Sequence, residues 1–510
     1  MRSRFCYGLS ALILNVIVAG CSSGHNGNDT DHLVILHTND THSSIDPDSK
    51  DMGGIARRKV IIDSVRDSRC NVMLVDAGDA VQGSLYFTIF GGEVERVLMN
   101  RLNYDIRILG NHEFDRGMER LAQEWGKVNA TRLSTNYDLT GSALDGLFVP
   151  SVIKDISGHK IGFIGLNLDP SGIIAEENCT GVKYHDALQR ANEEAAKLRE
   201  NGAEMVIAVS HLGYNTTTGV DDLDIAAGSR DIDIIIGGHS HTAIDPASPD
   251  SPKWRVANAD GDTITVVQTG SRGSAVGELD INLSTLDVTP KLIKIDNRLD
   301  RRIDKDFAEL ITPYRVKVDS LRAFRIGETS HEFERTSTRM LNLFSDFVRT
   351  RGAEICGKPV DLSIMNKGGI RNTLPKGVIT KGEIIDIAPF ENRIVVLDIS
   401  GADLLENIGI MVGQDGQGVS SNVSVVYDPE THAINRASID GFPIDPARRY
   451  RLATIDYLAA GNDYMTPLKR ATILARSKEI LYETLIDYIE NGKISNLLSH
   501  PDDNERMTSK

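Results

Sequence analysis

The sequence predicts an α/β chain in two parts, a larger domain of strands layered with helices and then a smaller α+β domain. Three observations predict it. Strand-length apolar runs recur between amphipathic helical segments through the first half. A charged, helix-compatible stretch at 299–323 carries few apolar anchors and reads as a connecting helix. At 510 residues the chain is longer than one hydrophobic core ordinarily fills.

The N-terminus reads as a targeting segment. Arg2 and Arg4 precede an apolar run, 9–18, that is too short to span a bilayer. It ends in Val18-Ala19-Gly20-Cys21, small residues before a cysteine, which resembles the lipobox of bacterial lipoproteins. The expectation is a signal peptide over 1–20, lipidation of Cys21 and a polar tether over 21–31. The protein is then extracytoplasmic and lipid-anchored to a bacterial membrane, on the periplasmic side or at the cell surface.

Apolar runs at 33–36, 72–75, 106–109, 205–209 and 232–236 read as buried strands, and 54–66, 94–101 and 187–199 as helices. Residues 151–166 read as a hairpin around Ser157-Gly158, and strands at 263–269 and 278–283 complete a domain over 32–298. The second domain, 324–505, is expected to contain helices at 339–351, 402–411 and 479–490 and strands at 360–364, 393–399 and 450–455. A formal net charge of −16 argues against a nucleic acid polymer as partner, while a small phosphorylated substrate stays open. The five cysteines form no Cys-x-x-Cys pair and no disulfide framework.

Five polar clusters follow apolar runs: Asn39-Asp40-Thr41-His42, Asp76-Ala77-Gly78-Asp79, Gly110-Asn111-His112-Glu113, Ser210-His211 and Gly238-His239-Ser240-His241. Each alone is an ordinary polar turn. In α/β sheets ligands gather at the carboxyl ends of strands, so the five are expected to converge. Oxygen and imidazole donors without thiolate suit Mn, Fe, Co or Zn. Asp79 offers two oxygens to two ions, and Asp115 stands where it can orient a protonated His112. In the second half Asn366-Lys367-Gly368-Gly369-Ile370-Arg371 offers an anion loop. Taken singly it is a Gly-Gly turn with a surface Arg, and Phe390 and Tyr457 are core aromatics.

The order Asp-x-His, Gly-Asp, Gly-Asn-His-Glu, Ser-His and Gly-His-x-His resembles the calcineurin-like metallophosphoesterases. Leu36-His37-Thr38-Asn39-Asp40-x-His42 with Gly110-Asn111-His112-Glu113-Phe114-Asp115 resembles the 5′-nucleotidase and UDP-sugar hydrolase branch. The second half resembles that branch's C-terminal domain. The resemblance implies a four-layer αββα metallophosphoesterase sandwich followed by a smaller α+β substrate-binding domain. It also implies two divalent metal ions, one held by Asp40, His42, Asp79 and His241, the other by Asp79, Asn111, His211 and His239. Such ions lower the pKa of a shared water and clamp phosphoryl oxygens. His112 and Asp115 match the catalytic pair, and Glu113 receives no role.

For the substrate, the resemblance implies that Phe390 and Tyr457 stack the base and Asp463 bonds the ribose. Arg371 grips phosphate beside Gly368 and Gly369, and Asn366 and Asn392 position the nucleotide. Arg335 and Arg339 are further phosphate candidates. Lys367 departs from the family pattern and adds charge beside the phosphate loop; Tyr457 and Ala460-Gly461-Asn462-Asp463 depart from it at the base end. The implied function is release of phosphate from 5′-mononucleotides. UDP-sugars, nucleoside di- or triphosphates and 2′,3′-cyclic nucleotides are alternatives on the same scaffold. Sulfur-ester hydrolysis and non-catalytic nucleotide binding are more distant ones. No protein partner is inferred, and the connecting helix is expected to let the second domain swing.

Overall fold

The computed structural model describes residues 29–510; the expected signal segment, Cys21 and nearly all of the tether lie outside the described residues. Five strands carry the polar clusters: β1 (His32–Thr38), β2 (Val72–Asp76), β3 (Ile106–Ile108), β4 (Met205–His211) and β5 (Ile234–Ile236). β1, β2 and β3 run parallel in one six-stranded sheet, flanked by Ala275–Asn282 and Val288–Lys294 on one side and Thr131–Leu133 on the other. β4 and β5 run parallel in a second six-stranded sheet with Thr263–Val267, Arg255–Ala257 and the hairpin Ser151–Ile156 and His159–Asn167.

The period of two along each strand decides which layer a side chain joins. Leu33 and Ile35 of β1 point between the sheets and pack with Phe163, Ile207, Val209 and Ile236 of the second sheet. Val34 and Leu36 face outward onto helices Ile55–Arg66 and Glu93–Leu102. On the far side Val206 and Ala208 pack against Ala191, Ala195 and Leu198 of helix Ala187–Glu200. Both faces of both sheets are therefore apolar, and the layers are helix, sheet, sheet, helix.

The connecting helix is Lys305–Arg322, and it differs from the expectation of a weakly anchored element. Its three buried anchors share one face: Phe307, Ile311 and Val318 are at 1% exposure or less, while Leu310 and Val316 stay exposed. Arg315 adds two bonds to Asp46, at 3.0 and 2.6 Å. Few anchors suffice when all point one way.

The C-terminal half holds a five-stranded sheet ordered Gly418–Val419, Leu362–Met365, Arg449–Ile455, Arg393–Ser400 and Thr472–Ile480, with Thr338–Cys356 packed on it. A second sheet pairs Val423–Tyr427 with Ile434–Ile439 and, in parallel, with Met507–Ser509. The helix expected from 479 begins at Leu481, because Thr472–Ile480 is an edge strand. That strand is mostly exposed, so its sequence lacks the apolar alternation that marks a strand.

Candidate metal centre and substrate cleft

The five clusters meet past the carboxyl ends of β1 to β5. Asp40, His42 and His241 bring one ligand atom each within 4.8 Å of one another, and so do Asp79, His211 and His239. In the first group His42 Nε2 and His241 Nε2 lie 2.8 Å apart, and His241 Nε2 is 3.4 Å from Asp40 Oδ1. In the second, His211 Nε2 lies 3.3 Å from Asp79 Oδ2. Asn111 Oδ1 joins it, 2.9 Å from His239 Nδ1. The loop that carries Asp79 is tied to the first group as well, since the Asp79 backbone carbonyl accepts from His42 N at 3.0 Å.

Getting these donors together strains the backbone. Asp40, His42, Asp79, His239 and His241 all adopt positive φ, between 46° and 73°. Residues with a Cβ rarely sit there, and such strain gathers at functional sites. Glycines relieve the tightest approaches. A Cβ on Gly110 would lie 2.2 Å from Asp79 Oδ1, and one on Gly78 2.8 Å from His211 Nδ1.

The donor set fits divalent cations. Asp40 and Asp79 are 0% and 2% exposed, which is unfavourable for carboxylates unless cationic groups compensate. His211 Nδ1 is 2.7 Å from the Ala77 carbonyl, which leaves Nε2 as a buried nitrogen with no hydrogen-bond partner. This is how ligating imidazoles are commonly held. Burial lowers the pKa of His42 well below its usual value and that of His239 to about 4, leaving neutral rings with lone pairs to offer. Burial also works against a proton on His211, but Asp79 outweighs it and lifts the pKa to about 10. A cation competes with that proton for the same nitrogen.

His112 stands beside the donors rather than among them. Its ring is 5.4 Å from that of His42, and its Nδ1 is 2.8 Å from Asp115 Oδ2. Burial lowers the His112 pKa, the Asp115 and Asp79 carboxylates raise it by more, and the net shift is upward. The protonated ring therefore persists to higher pH than an ordinary imidazole.

Glu113, given no role by the sequence, has one in the structure. Its Oε2 accepts from Asp79 N at 3.0 Å and Gly110 N at 2.6 Å, and its Oε1 from Ala80 N at 3.0 Å. One carboxylate thus ties the β2 loop to the β3 loop and fixes Asp79. The only sequence signal was a carboxylate set among glycines and ligands, without a partner that local spacing could name.

A cleft of about 780 Å³ opens beside the donors and is lined by both halves of the chain. Asn111, His112, Asp115 and His239 line it from the first half, and Asn366, Gly368, Gly369, Arg371, Phe390, Asn392, Tyr457 and Asp463 from the second. Phe390 lies 6.1 Å from the His112 ring and 5.9 Å from the Arg371 guanidinium. Asp463 accepts from Asn366 Nδ2 at 2.5 Å. Tyr457 reaches across the halves to donate to the Ile173 carbonyl at 2.9 Å, and Arg116 pairs with Glu391.

Three expected charges fall differently. Arg335 stays beside the phosphate loop, donating to the Ile370 carbonyl at 3.1 Å. Arg339 is turned to Asp503, with bonds of 2.8 and 2.7 Å, and does not line the cleft. Lys367, expected to add charge beside the phosphate loop, directs its ammonium to the Asp415 carbonyl at 2.9 Å instead. Its backbone turns into the short helix Lys367–Gly369, and Lys367 does not line the cleft.

Paired sheets between helices, with two groups of Asp and His donors at the strand ends, define a metallophosphoesterase. The family model for calcineurin-like phosphoesterases matches residues 33–243, and that for the 5′-nucleotidase C-terminal domain matches 317–470. A snake venom 5′-nucleotidase of Naja atra is 28% identical over 519 residues, covering 91% of this chain and 96% of that protein. The crystal structure of a 5′-nucleotidase precursor from Thermus thermophilus superposes with a TM-score of 0.83 at 28% identity, covering 94% of this chain and 99% of the other. The chain belongs to the 5′-nucleotidase family of metal-dependent phosphoesterases. A Thermus thermophilus sulfate thiohydrolase shares the fold, at a TM-score of 0.71 and 16% identity over 96% of this chain and 98% of that one.

Proposed function

We propose that this protein releases phosphate from 5′-mononucleotides outside the cytoplasm, using two divalent cations. One is held by Asp40, His42, Asp79 and His241, the other by Asp79, Asn111, His211 and His239. The observation that carries the reading is a single cleft in which Arg371, Phe390 and Tyr457 face His112, Asp115, Asn111 and His239. Phosphate-gripping, base-stacking and metal-binding chemistry are all within reach of one small molecule.

When bound, the cations supply Lewis acidity that activates water and neutralises charge on the phosphoryl group. Arg371 grips the phosphate, its guanidinium buried with Nε free of any protein acceptor. Phe390 and Tyr457 take the base between them, an interaction that tolerates any base. Asp463, steadied by Asn366, accepts from the ribose hydroxyls, and Asn392 shapes the same end. His112, held cationic by Asp115, donates to the oxygen on which charge grows and can protonate the departing alkoxide. Glu113 holds Asp79 in place through the backbone.

The lipobox-like Val18-Ala19-Gly20-Cys21 supports anchoring at a bacterial membrane through Cys21. The test is hydrolysis of 5′-AMP, UDP-glucose, ATP and 2′,3′-cyclic AMP, followed by chromatography of the products, because cleavage of UDP-glucose or opening of the cyclic phosphate frees no inorganic phosphate. The proposal expects 5′-AMP to be preferred in kcat/KM, and a stronger preference for any of the others would overturn it.

A further inference from the structure

We propose that Arg272 is a positioning residue for the phosphate-gripping end of the cleft, tying the Arg371 loop to the loop that carries Asp40. The inference rests on the reading of Arg371 as the phosphate ligand. Arg272 lies between strands Thr263–Val267 and Ala275–Asn282, and neither a motif nor the family resemblance gave it a role.

Its loop clamps the first metal-donor segment. Thr269 donates to Asn39 Oδ1 through its backbone N at 2.8 Å and its hydroxyl at 2.7 Å. Asn39 Nδ2 donates to the Gly270 carbonyl at 2.9 Å and to Asp40 Oδ2 at 2.6 Å. Arg272 N then donates to the Asp40 carbonyl at 2.7 Å, from a backbone held at φ 56°. A non-glycine residue in that conformation is locally unfavourable, and here it aims the side chain across the cleft.

The side chain ends on the other half of the protein, where Arg272 Nη2 donates to the Arg371 carbonyl at 2.7 Å. The preceding carbonyl, of Ile370, is taken by Arg335 Nε, and Arg371 N donates to the Ile387 carbonyl at 2.8 Å. The peptide units around Arg371 are thereby fixed while its guanidinium is left to the cleft. Through Arg272, one residue links a metal donor's carbonyl to the phosphate ligand's carbonyl, the tie between the halves that joins the two sites directly. Burial, with the charges of Arg335 and Arg272, lowers the Arg371 pKa to about 10, as expected of a guanidinium awaiting an anion.

The test uses the metal-loaded full chain and two variants, Arg272→Met and Arg272→Lys. Calorimetry measures binding of inorganic phosphate and of adenosine, and steady-state kinetics measures 5′-AMP hydrolysis. Arg272→Met is expected to weaken phosphate binding and raise KM for 5′-AMP by roughly tenfold, the loss of one charge-assisted hydrogen bond, with a smaller fall in kcat. Adenosine affinity stays as in the parent, and Arg272→Lys, whose ammonium still has a donor for the carbonyl, recovers most of the phosphate affinity. Unchanged phosphate affinity in Arg272→Met overturns the proposal, and so does an equal loss for adenosine and phosphate. Should Arg272→Met fail to fold, Arg272→Gln carries the comparison, since its shorter amide falls short of the carbonyl; parental phosphate affinity there overturns the proposal. Arg272-dependent phosphate binding in a protein that hydrolyses no nucleotide would sink the proposed function and leave this inference standing.

Discussion

Glu113→Ala removes the acceptor of three buried amides, those of Asp79, Ala80 and Gly110. A buried N–H left without an acceptor costs about 1–3 kcal/mol, so three at roughly 2 each give about 6 kcal/mol. Against this stands the cost of keeping the carboxylate charged. Burial, then the Asp79 charge, pushes Glu113 from 4.5 up to about 7, and 2.5 pH units correspond to about 3 kcal/mol. The net destabilisation in chelator at pH 8 is therefore about 3 kcal/mol. A urea midpoint reports the global effect. Hydrogen exchange at the three amides reports the local one, because they should lose protection ahead of the sheet interiors. Glu113→Ala protein within about 1 kcal/mol of the parent, with all three amides still protected, would refute the clamp and the arithmetic together.

His112→Ala should keep both cations and lose two to four decades in kcat, about the worth of one acid–base or electrostatic contribution; a fully metallated variant with near-normal turnover contradicts the role. Glu95 is 2% exposed with both carboxylate oxygens unpartnered, and burial lifts its pKa from 4.5 to about 7. The folded state then binds the extra proton between those values, so stability falls as pH rises from 4.5 through 7, by about 3 kcal/mol. Glu95→Gln should flatten that slope in urea denaturation at pH 4.5 and pH 8, and an unchanged slope argues against it. Phe390→Ala and Tyr457→Ala should each raise KM for 5′-AMP by about five- to a hundredfold while sparing ribose 5-phosphate, which has no ring to stack; equal losses on both substrates would place the aromatics elsewhere in the chemistry.

Legibility in the sequence followed the range of the interactions. The inner strands of the paired sheets were readable because each is a short apolar run, and the Asp and His clusters because each sits right after one; the edge strands Thr131–Leu133, Arg255–Ala257 and Val288–Lys294 bury little and went unread. The edge strand Thr472–Ile480 was missed because it buries little. The connecting helix was underrated because its three anchors were counted without their shared face. Glu113 and Arg272 act on backbone groups, two of Glu113's three amides lying 33 and 34 residues away and Arg272's carbonyl 99, and a side chain bonded to a distant amide or carbonyl leaves no pattern in its own neighbourhood. Lys367 shows the opposite failure, since proximity in sequence to Arg371 suggested a shared role that the direction of its side chain denies.

The central claim is that two cations share Asp79 and act on a nucleotide held by the second half of the chain. It is tested most directly by stripping the protein with chelator, restoring Mn²⁺ stepwise, and measuring bound metal and phosphate release from 5′-AMP on the same samples. Binding should saturate at two ions per chain, and phosphate release should rise with the second equivalent. Saturation at one ion with full activity, or two ions bound with no phosphate released, would contradict it.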